Sequence, residues 1–188
     1  MKKTILGAII ILLATGGGSF AADFPEKSLY QLKQEWTNQN GKKQALESLQ
    51  GKVWVAAMIY THCSSACPLI VESIKKIERQ LPPEKAGKIG FVLFSMDPKR
   101  DTPKSLKAFA KAHALGKENW LLLTSNKNTV QELSAALDFN FKETQNGMFL
   151  HQNTLFILDA KGVVIHQYPN LDEAVAGAVK TLSSMAEA

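Results

Sequence analysis

The chain has 188 residues, of which 45% are hydrophobic and 21% are charged, and its formal net charge is +5. This composition is typical of a globular protein with a full hydrophobic core, and it argues against a disordered chain. The 22 lysines and arginines are dispersed, with no run longer than two, so we expect no nucleic-acid partner.

The first 21 residues have the pattern of a secretion signal. Lys2 and Lys3 precede an apolar stretch at 5–14 that is too short to span a bilayer, and small residues follow it. We predict cleavage after Ala21, which leaves one domain at 22–188 with no stable membrane span. An uncleaved anchor is the alternative. No cysteine follows the apolar stretch, so lipoprotein processing is not expected, and we place the protein in a bacterial periplasm.

Strand-like and helical patterns alternate after the signal. Short apolar runs rich in β-branched residues predict strands, whereas apolar residues at helical spacing predict helices. The predicted elements are, in chain order, a polar segment at 27–50 with a helical turn or a hairpin, strand 53–60, helix 68–81, strand 89–95, helix 103–114, strand 120–124, helix 127–137, strands 148–158 and 163–168 around a turn at 159–162, and helix 172–185.

This order predicts an α/β protein with a thioredoxin-like layout. Helices that connect successive strands imply parallel pairing, while the four-residue turn near the C-terminus implies an antiparallel β-hairpin. We therefore expect a central mixed sheet with helices on both faces, a C-terminal β-hairpin and one extra βα insertion in the middle.

The only two cysteines lie at the first strand-to-helix junction, in the segment Cys-Ser-Ser-Ala-Cys-Pro at 63–68. Pro68 suits the first helical position and disfavours helical geometry at Cys67. We therefore predict that Cys63 and Cys67 lie on a loop before the helix, where the helix N-terminus favours thiolates. Two such thiols exchange disulfides or hold a soft metal. A bridge across so small a loop would remove little chain entropy, so a purely structural disulfide fits poorly.

Histidine is a candidate third ligand, because thiolates select Cu(I) and imidazole adds affinity for Cu(II). His62 would point away from Cys63 if the strand continues, His113 is expected to be solvated on a surface helix, and His166 is expected to make a cross-strand contact. His151 lies just before a predicted strand, in a loop that packs against the thiol loop in a thioredoxin-like sheet. A lone histidine is more often structural than a ligand, so the residues alone leave both roles open.

Three segments of the chain together resemble the Sco/SenC family. They are Tyr-Thr-His-Cys-Ser-Ser-Ala-Cys-Pro at 60–68, Phe-Ser-Met-Asp-Pro-Lys-Arg-Asp-Thr-Pro at 94–103 and Phe-Leu-His-Gln-Asn at 149–153. The resemblance covers about residues 25–180, and the Asp-Pro-x-Arg-Asp-Thr-Pro block is its most specific part. It implies a thioredoxin-like protein linked to the assembly of copper centres in cytochrome c oxidase.

By that resemblance, Cys63, Cys67 and His151 are copper ligands. The two thiolates would hold Cu(I), and His151 would join for Cu(II) or tune the site. The partner would be a cuproenzyme such as cytochrome c oxidase, and we expect a monomer. Asp97 resembles an aspartate near the family's site that positions other groups or contacts the partner, although a turn residue before Pro98 is an equal alternative.

A different class of function is also open. The chain could be a thiol–disulfide reductase that keeps the copper-binding cysteines of a client reduced. One thiolate would then attack the client's disulfide and the other would resolve the mixed disulfide, so that Cys63 and Cys67 are the catalytic residues. Cys63 is the more exposed of the two in this prediction and the better candidate for attack. A peroxidase is disfavoured, because the chain lacks an extended Thr-x-x-Cys context.

The chain departs from the family pattern at three points, of which the first is a predicted cleavable signal in place of the N-terminal membrane anchor common in the family. Ser64 stands where family members usually carry proline, so the thiol loop is expected to be less rigid. His151 lies between Leu150 and Gln152, without the neighbouring hydroxyl or carboxylate that could orient its ring.

The remaining side chains near these motifs have simpler expectations. Tyr60 and Phe149 are expected to shield the sulfurs from solvent or to fill core. Arg100 and Asp101 are expected to form an ion pair or a cap within their loop, without a role in the chemistry.

Overall fold

The computed structural model describes residues 24–85, 87–116 and 118–185. The predicted secretion signal at 1–21 and its cleavage point after Ala21 lie outside the described residues. Within the described ranges, no helix is both long enough and apolar enough to cross a membrane.

The described chain alternates strands and helices, as the sequence predicts, with short 3-10 turns at Leu29–Gln31, Leu46–Leu49 and Pro83–Lys85. The elements in chain order are β1 (Glu35–Asn38), β2 (Lys43–Ala45), β3 (Val53–Ile59), α1 (Ala66–Gln80), β4 (Ile89–Ser95), α2 (Pro103–Ala112), β5 (Trp120–Thr124), α3 (Lys127–Ala136), β6 (Phe141–Glu143), β7 (Phe149–His151), β8 (Leu155–Leu158), β9 (Val164–Tyr168) and α4 (Leu171–Met185).

Seven strands form one mixed sheet in the order β2-β1-β5-β4-β3-β8-β9. The central pairs β3–β4 and β4–β5 are parallel, whereas β1–β2, β1–β5, β3–β8 and β8–β9 are antiparallel. The polar segment at 27–50 contributes the β1–β2 hairpin, and the turn at 159–162 closes the β8–β9 hairpin. The central mixed sheet and its C-terminal hairpin are therefore confirmed.

The core lies on both sides of the central strands. Every residue of β4 is buried, and so is every residue of β3 after Val53. Strands buried on both faces are typical of a parallel sheet that helices cover on each side. Among the helices that cover the sheet, α1 packs beside α4, and α2 packs against β1 and β5. Strands β3 and β4 are parallel and finish at the same end of the sheet. The thiol loop, which carries Cys63, begins there after β3, and a second loop begins there after Ser95.

Helix α2 begins as the sequence predicts. The hydroxyl of Thr102 accepts a hydrogen bond from the backbone N–H of Ser105 at 3.3 Å, and Pro103 is the first helical residue. A hydroxyl cap followed by proline is a strong start signal, because it satisfies an unpaired N–H and places a residue without N–H where none is needed. The cap fixes the end of the loop at 97–101.

The start of α1 differs from the prediction. The helix begins at Ala66 instead of Pro68, so Cys67 lies in its first turn and only Cys63 lies in the preceding loop. The prediction that both thiols precede the helix is therefore wrong for Cys67. Pro68 is the third helical residue, and the structure tolerates it there because the first four N–H groups of a helix have no acceptor within the helix.

The predicted strand at 148–158 is also wrong, since it is two strands. Residues 152–154 separate β7 from β8, and β7 pairs with β6 in a small sheet in which Phe141 lies opposite His151. The hairpin turn between them includes Gly147 at φ +75°, a conformation that favours glycine. Three-residue strands are too short for a periodic signal, which is why β6 escapes the sequence analysis.

Candidate metal centre

The two cysteines face each other across the start of α1. The Cys63 sulfur accepts a hydrogen bond from the backbone N–H of Cys67 at 3.3 Å. Both thiols are free, with Cys67 fully buried and Cys63 6% exposed. The loop after β3 thus brings one thiol to the N-terminal end of a helix whose first turn carries the other.

The surroundings make the two thiols unequal. Burial alone would raise the pKa of Cys63, but hydrogen bonds from the backbone N–H groups of Cys67 and Ser65, and from the side chains of Cys67 and Tyr60, lower it to about 6. Burial raises the pKa of Cys67, and the neighbouring Cys63 sulfur adds to that rise. The Cys63 sulfur is therefore a thiolate at neutral pH, whereas the Cys67 thiol stays protonated unless metal binding displaces its proton or a base removes it.

His151 comes from the separate β6–β7 sheet, with its ring against aromatic side chains. The ring centroids of Tyr60 and Phe139 lie 6.0 and 6.2 Å from that of His151. Its Nδ1 lies 2.7 Å from the carbonyl oxygen of Gln152. A carbonyl only accepts, so Nδ1 donates this hydrogen bond and Nε2 is the ring nitrogen left for an ion. The Gln152 carbonyl therefore orients the imidazole, since the residues next to His151 offer no hydroxyl or carboxylate for that role.

The structure brings the three predicted ligands together. The three ligand atoms, the sulfurs of Cys63 and Cys67 and a ring nitrogen of His151, all lie within 4.8 Å of one another. A metal ion bonds such atoms at roughly 2.0–2.3 Å, so three atoms spaced evenly around one ion lie about 3.5–4 Å apart. The three atoms are therefore close enough together to be candidate ligands of a single ion.

Tyr60 does more than shield the sulfurs. It is buried, its ring packs edge-to-face on Phe149 at 5.1 Å, and its hydroxyl forms a hydrogen bond with the Cys63 thiol. Burial raises the pKa of Tyr60, and the bond with Cys63 raises it further. A neutral phenol beside a thiolate is a donor, so Tyr60 stabilises the charged sulfur.

Asp97 lies outside this group of three ligands. It is buried, and its carboxylate forms an ion pair with the Nε of Arg100. Its backbone N–H donates to the Ser95 hydroxyl at 3.0 Å. An ion pair within the loop is thus confirmed for Arg100, but the acid is Asp97 and not Asp101.

Asp101 is buried and has a separate set of partners. It accepts hydrogen bonds from the Ser95 hydroxyl at 2.6 Å and from the Thr61 hydroxyl at 2.5 Å, and the Thr61 backbone N–H donates to it at 3.1 Å. Burial raises the pKa of this carboxyl, and the hydrogen bonds oppose the rise. Since Thr61 is two residues before Cys63, Asp101 anchors the start of the thiol loop. The sequence analysis missed this contact, which joins residues 40 positions apart.

A model of the SCO1/SenC family matches residues 23–187. The chain belongs to the SCO1/SenC family. The SCO1 protein homolog of Bacillus subtilis (strain 168) is 30% identical to it over 176 residues, which cover 92% of this chain and 89% of the relative.

Solved structures of the SCO1/SenC family share the fold. The copper-bound structure of Bradyrhizobium japonicum ScoI is 26% identical, with a TM-score of 0.65, and the match covers 79% of this chain and 96% of that one. BsSco, described as a cytochrome c oxidase assembly protein with a disulfide switch, is 29% identical with a TM-score of 0.66, over 81% and 92% of the two chains. The thioredoxin-like fold of this SCO1/SenC chain is thereby confirmed.

The other histidines stay outside the group of three. The exposed ring of His62 lies beside Asp101, with Nδ1 3.9 Å from a carboxylate oxygen, so it does point away from the sulfurs. His113 ends α2 and packs on Phe109 at 4.3 Å, and burial lowers its pKa. His113 is half-buried, so its expected exposure to solvent is only partial. His166 is exposed and lies opposite Ile157 in the strand register, and its ring stacks on Tyr168 of its own strand at 5.9 Å.

Proposed function

We propose that this SCO1/SenC chain binds copper through Cys63, Cys67 and His151 and delivers it to a cuproenzyme such as cytochrome c oxidase. The observation that carries the proposal is the convergence of two sulfurs and one imidazole nitrogen within 4.8 Å, the sulfurs from the loop and helix after β3 and the nitrogen from the separate β6–β7 hairpin. The ion is cargo that passes through the site.

The donor set suits this cargo. Thiolates are soft ligands that favour Cu(I), and the imidazole of His151 adds a ligand that Cu(II) accepts. The low pKa of Cys63 provides a ligand that needs no deprotonation at neutral pH. The copper-bound relative from Bradyrhizobium japonicum supports copper over zinc, for which thiolate and imidazole are also suitable donors.

We further propose that the protein works outside the cytoplasm, in the periplasm, as a monomer. The lysines and the short apolar stretch of the N-terminal 21 residues support export. The description of BsSco as an oxidase assembly protein supports cytochrome c oxidase as the client. Delivery would proceed by ligand exchange, with a client thiolate replacing Cys63, the sulfur that reaches the surface.

Anaerobic titration of the reduced protein with Cu(I) and Cu(II) tests the ligand set. We expect one equivalent of each ion, with strong thiolate-to-Cu(II) charge transfer. Serine at Cys63 or Cys67 should abolish both forms of binding, and His151→Ala should remove the Cu(II) band while Cu(I) stays bound. His62→Ala is the matched control, because His62 neighbours Cys63 but lies outside the group. Unchanged stoichiometry and affinity in His151→Ala would contradict the three-ligand site.

Thiol–disulfide reduction is the second candidate, favoured by the inequality of the two thiols. Cys63 is the accessible thiolate and Cys67 the buried thiol. In this reaction the Cys63 thiolate attacks a client disulfide, forms a mixed disulfide and releases one client thiolate. Cys67 then loses its proton and attacks the Cys63 sulfur, which closes an internal disulfide and releases the second client thiolate.

The two functions separate in His151→Ala. This variant should lose copper transfer to the isolated copper-binding domain of an oxidase, yet keep the ability to reduce that domain's disulfide when no copper is present. Cys67→Ser should accumulate the mixed disulfide on Cys63 if the reductase is active. If neither copper nor the client disulfide reacts, both functions are wrong.

A further inference from the structure

The strand that carries His151 is not part of the main sheet. Within the described chain, β6 and β7 pair only with each other, through three residues each. A two-stranded hairpin of this kind is marginally stable by itself in water. The position of His151 relative to the thiols therefore depends on what attaches the β6–β7 hairpin to the rest of the molecule.

Phe149 and His151 pack on Tyr60, and the side chain of Arg100 makes the polar part of the attachment. Its Nη2 donates to the carbonyl oxygen of Gly147 in the hairpin turn, and its guanidinium lies 5.8 Å from the centroid of the Phe149 ring. Its Nε donates to the Asp97 carboxylate. A Cβ at Gly147 would lie 3.2 Å from the Arg100 guanidinium, so the two segments are in close contact. Arg100 thus holds the hairpin turn and the loop after β4 together.

Asp97 is itself fixed to the frame of the thiol loop. It is buried beside Ser95, which pairs with Ile59 at the end of β3, and the N–H of Met96 donates to the Ile59 carbonyl at 2.8 Å. The thiol loop begins immediately after this pair. Asp97, which holds Arg100, therefore follows the same pair of strand ends, those of β3 and β4, from which the thiol loop begins.

A second contact, an ion pair at the surface, also joins the loop after β4 to the β6–β7 hairpin. Lys99 and Glu143 form an ion pair at 3.3 Å with both side chains exposed to solvent. Exposed pairs contribute little, because solvent screens them and long side chains lose freedom on pairing. Arg100, by contrast, joins a buried carboxylate, a backbone carbonyl and an aromatic face.

We propose that Arg100 is a positioning residue that, held by Asp97, keeps the β6–β7 hairpin closed and so places His151 within reach of Cys63 and Cys67. This inference rests on the proposed function, because its consequence concerns the third copper ligand. It also gives Asp97 a role, which is to hold Arg100. Binding that needs His151 should depend on Arg100, whereas binding by the two thiolates alone should not.

Amide hydrogen exchange of the reduced, copper-free protein tests the attachment itself. In Arg100→Ala we expect the amides of residues 141–151 to exchange at least about tenfold faster, with those of α1 unchanged. Arg100→Lys keeps a cation for Asp97 but cannot reach both partners, so it should loosen the hairpin without leaving a buried charge unpaired. Lys99→Ala, the matched control, should exchange like the wild type. If the hairpin amides of both Arg100 variants exchange at the wild-type rate, the proposal is wrong.

Copper titration of the same variants tests the consequence. Arg100→Ala should bind Cu(II) about 10–100-fold more weakly, as when the partner of a metal-ligating histidine is removed, with Cu(I) affinity nearly unchanged. Combining it with His151→Ala should add no further loss. Loosened hairpin amides with wild-type Cu(II) binding, when His151→Ala alone weakens it, would overturn the positioning role. If His151→Ala itself binds Cu(II) normally, the proposed ligand set fails, and hairpin exchange still decides whether Arg100 holds the hairpin.

Discussion

Replacing Tyr60 with phenylalanine removes one hydrogen bond to the Cys63 sulfur and leaves the aromatic ring that packs on Phe149. The Tyr60 hydroxyl is the smallest of the contributions that lower the pKa of Cys63, so we take the ordinary net value of a hydrogen bond, about 0.5–1.5 kcal/mol. One pKa unit corresponds to about 1.4 kcal/mol, so the loss of the Tyr60 hydroxyl should raise the pKa of Cys63 by up to about one unit. From its value of about 6, the midpoint should move toward about 7 in Tyr60→Phe.

The ultraviolet absorbance of the thiolate, followed as a function of pH in the reduced protein, measures this midpoint. A lowered pKa means that the Cys63 thiolate forms as the pH rises through about 6, while Cys67, whose pKa is raised, stays protonated. Ser64→Ala is the control, because Ser64 neighbours Cys63 with an exposed side chain, whereas the Ser65 hydroxyl lies 3.9 Å from the Cys63 sulfur. A wild-type midpoint in the ordinary thiol range, or an identical midpoint in Tyr60→Phe, would refute this account of the charged sulfur.

Three further predictions concern stability. Asp101→Ala leaves the buried Ser95 hydroxyl and the half-buried Thr61 donors without their acceptor, so chemical denaturation should show a loss of about 1–3 kcal/mol, and Thr61→Val should lose less. Gly90→Ala places a Cβ 2.4 Å from the Trp54 ring, and the free energy of unfolding should fall by about 1–3 kcal/mol. One equivalent of Cu(I) should raise the melting temperature of the wild type and leave Cys63→Ser unaffected, because an ion that binds only the folded state stabilises it.

The elements that could be predicted from the sequence carry their own signals. Strands β4 and β5 have the predicted bounds, since each is a continuous apolar run between polar segments. Helix α2 starts at its predicted residue because Thr102 and Pro103 mark it locally. The start of α1 is different, because proline is tolerated at any of the first helical positions, so Pro68 limits the start without fixing it.

The site could be predicted only in part. Spacing along the chain identifies the two cysteines as a pair, but His151 is distant from them, and its assignment depends on resemblance to the family. The bonds that hold the site cross long separations, 47 residues from Arg100 to Gly147 and 40 from Thr61 to Asp101. No periodicity or local propensity encodes such pairs, so the tertiary structure alone reveals them.

Both hydrogen bonds come from the segment Asp-Pro-Lys-Arg-Asp at 97–101, which lies between the cysteine and histidine motifs. Asp101 holds Thr61 at the start of the thiol loop, and Arg100, paired with Asp97, holds the hairpin that carries His151. One five-residue loop after β4 thus anchors both halves of the candidate metal centre. A shift of this loop would change the sulfur-to-imidazole distances without touching a ligand. The loop is therefore where we expect substitutions to alter the centre while leaving all three ligands in place.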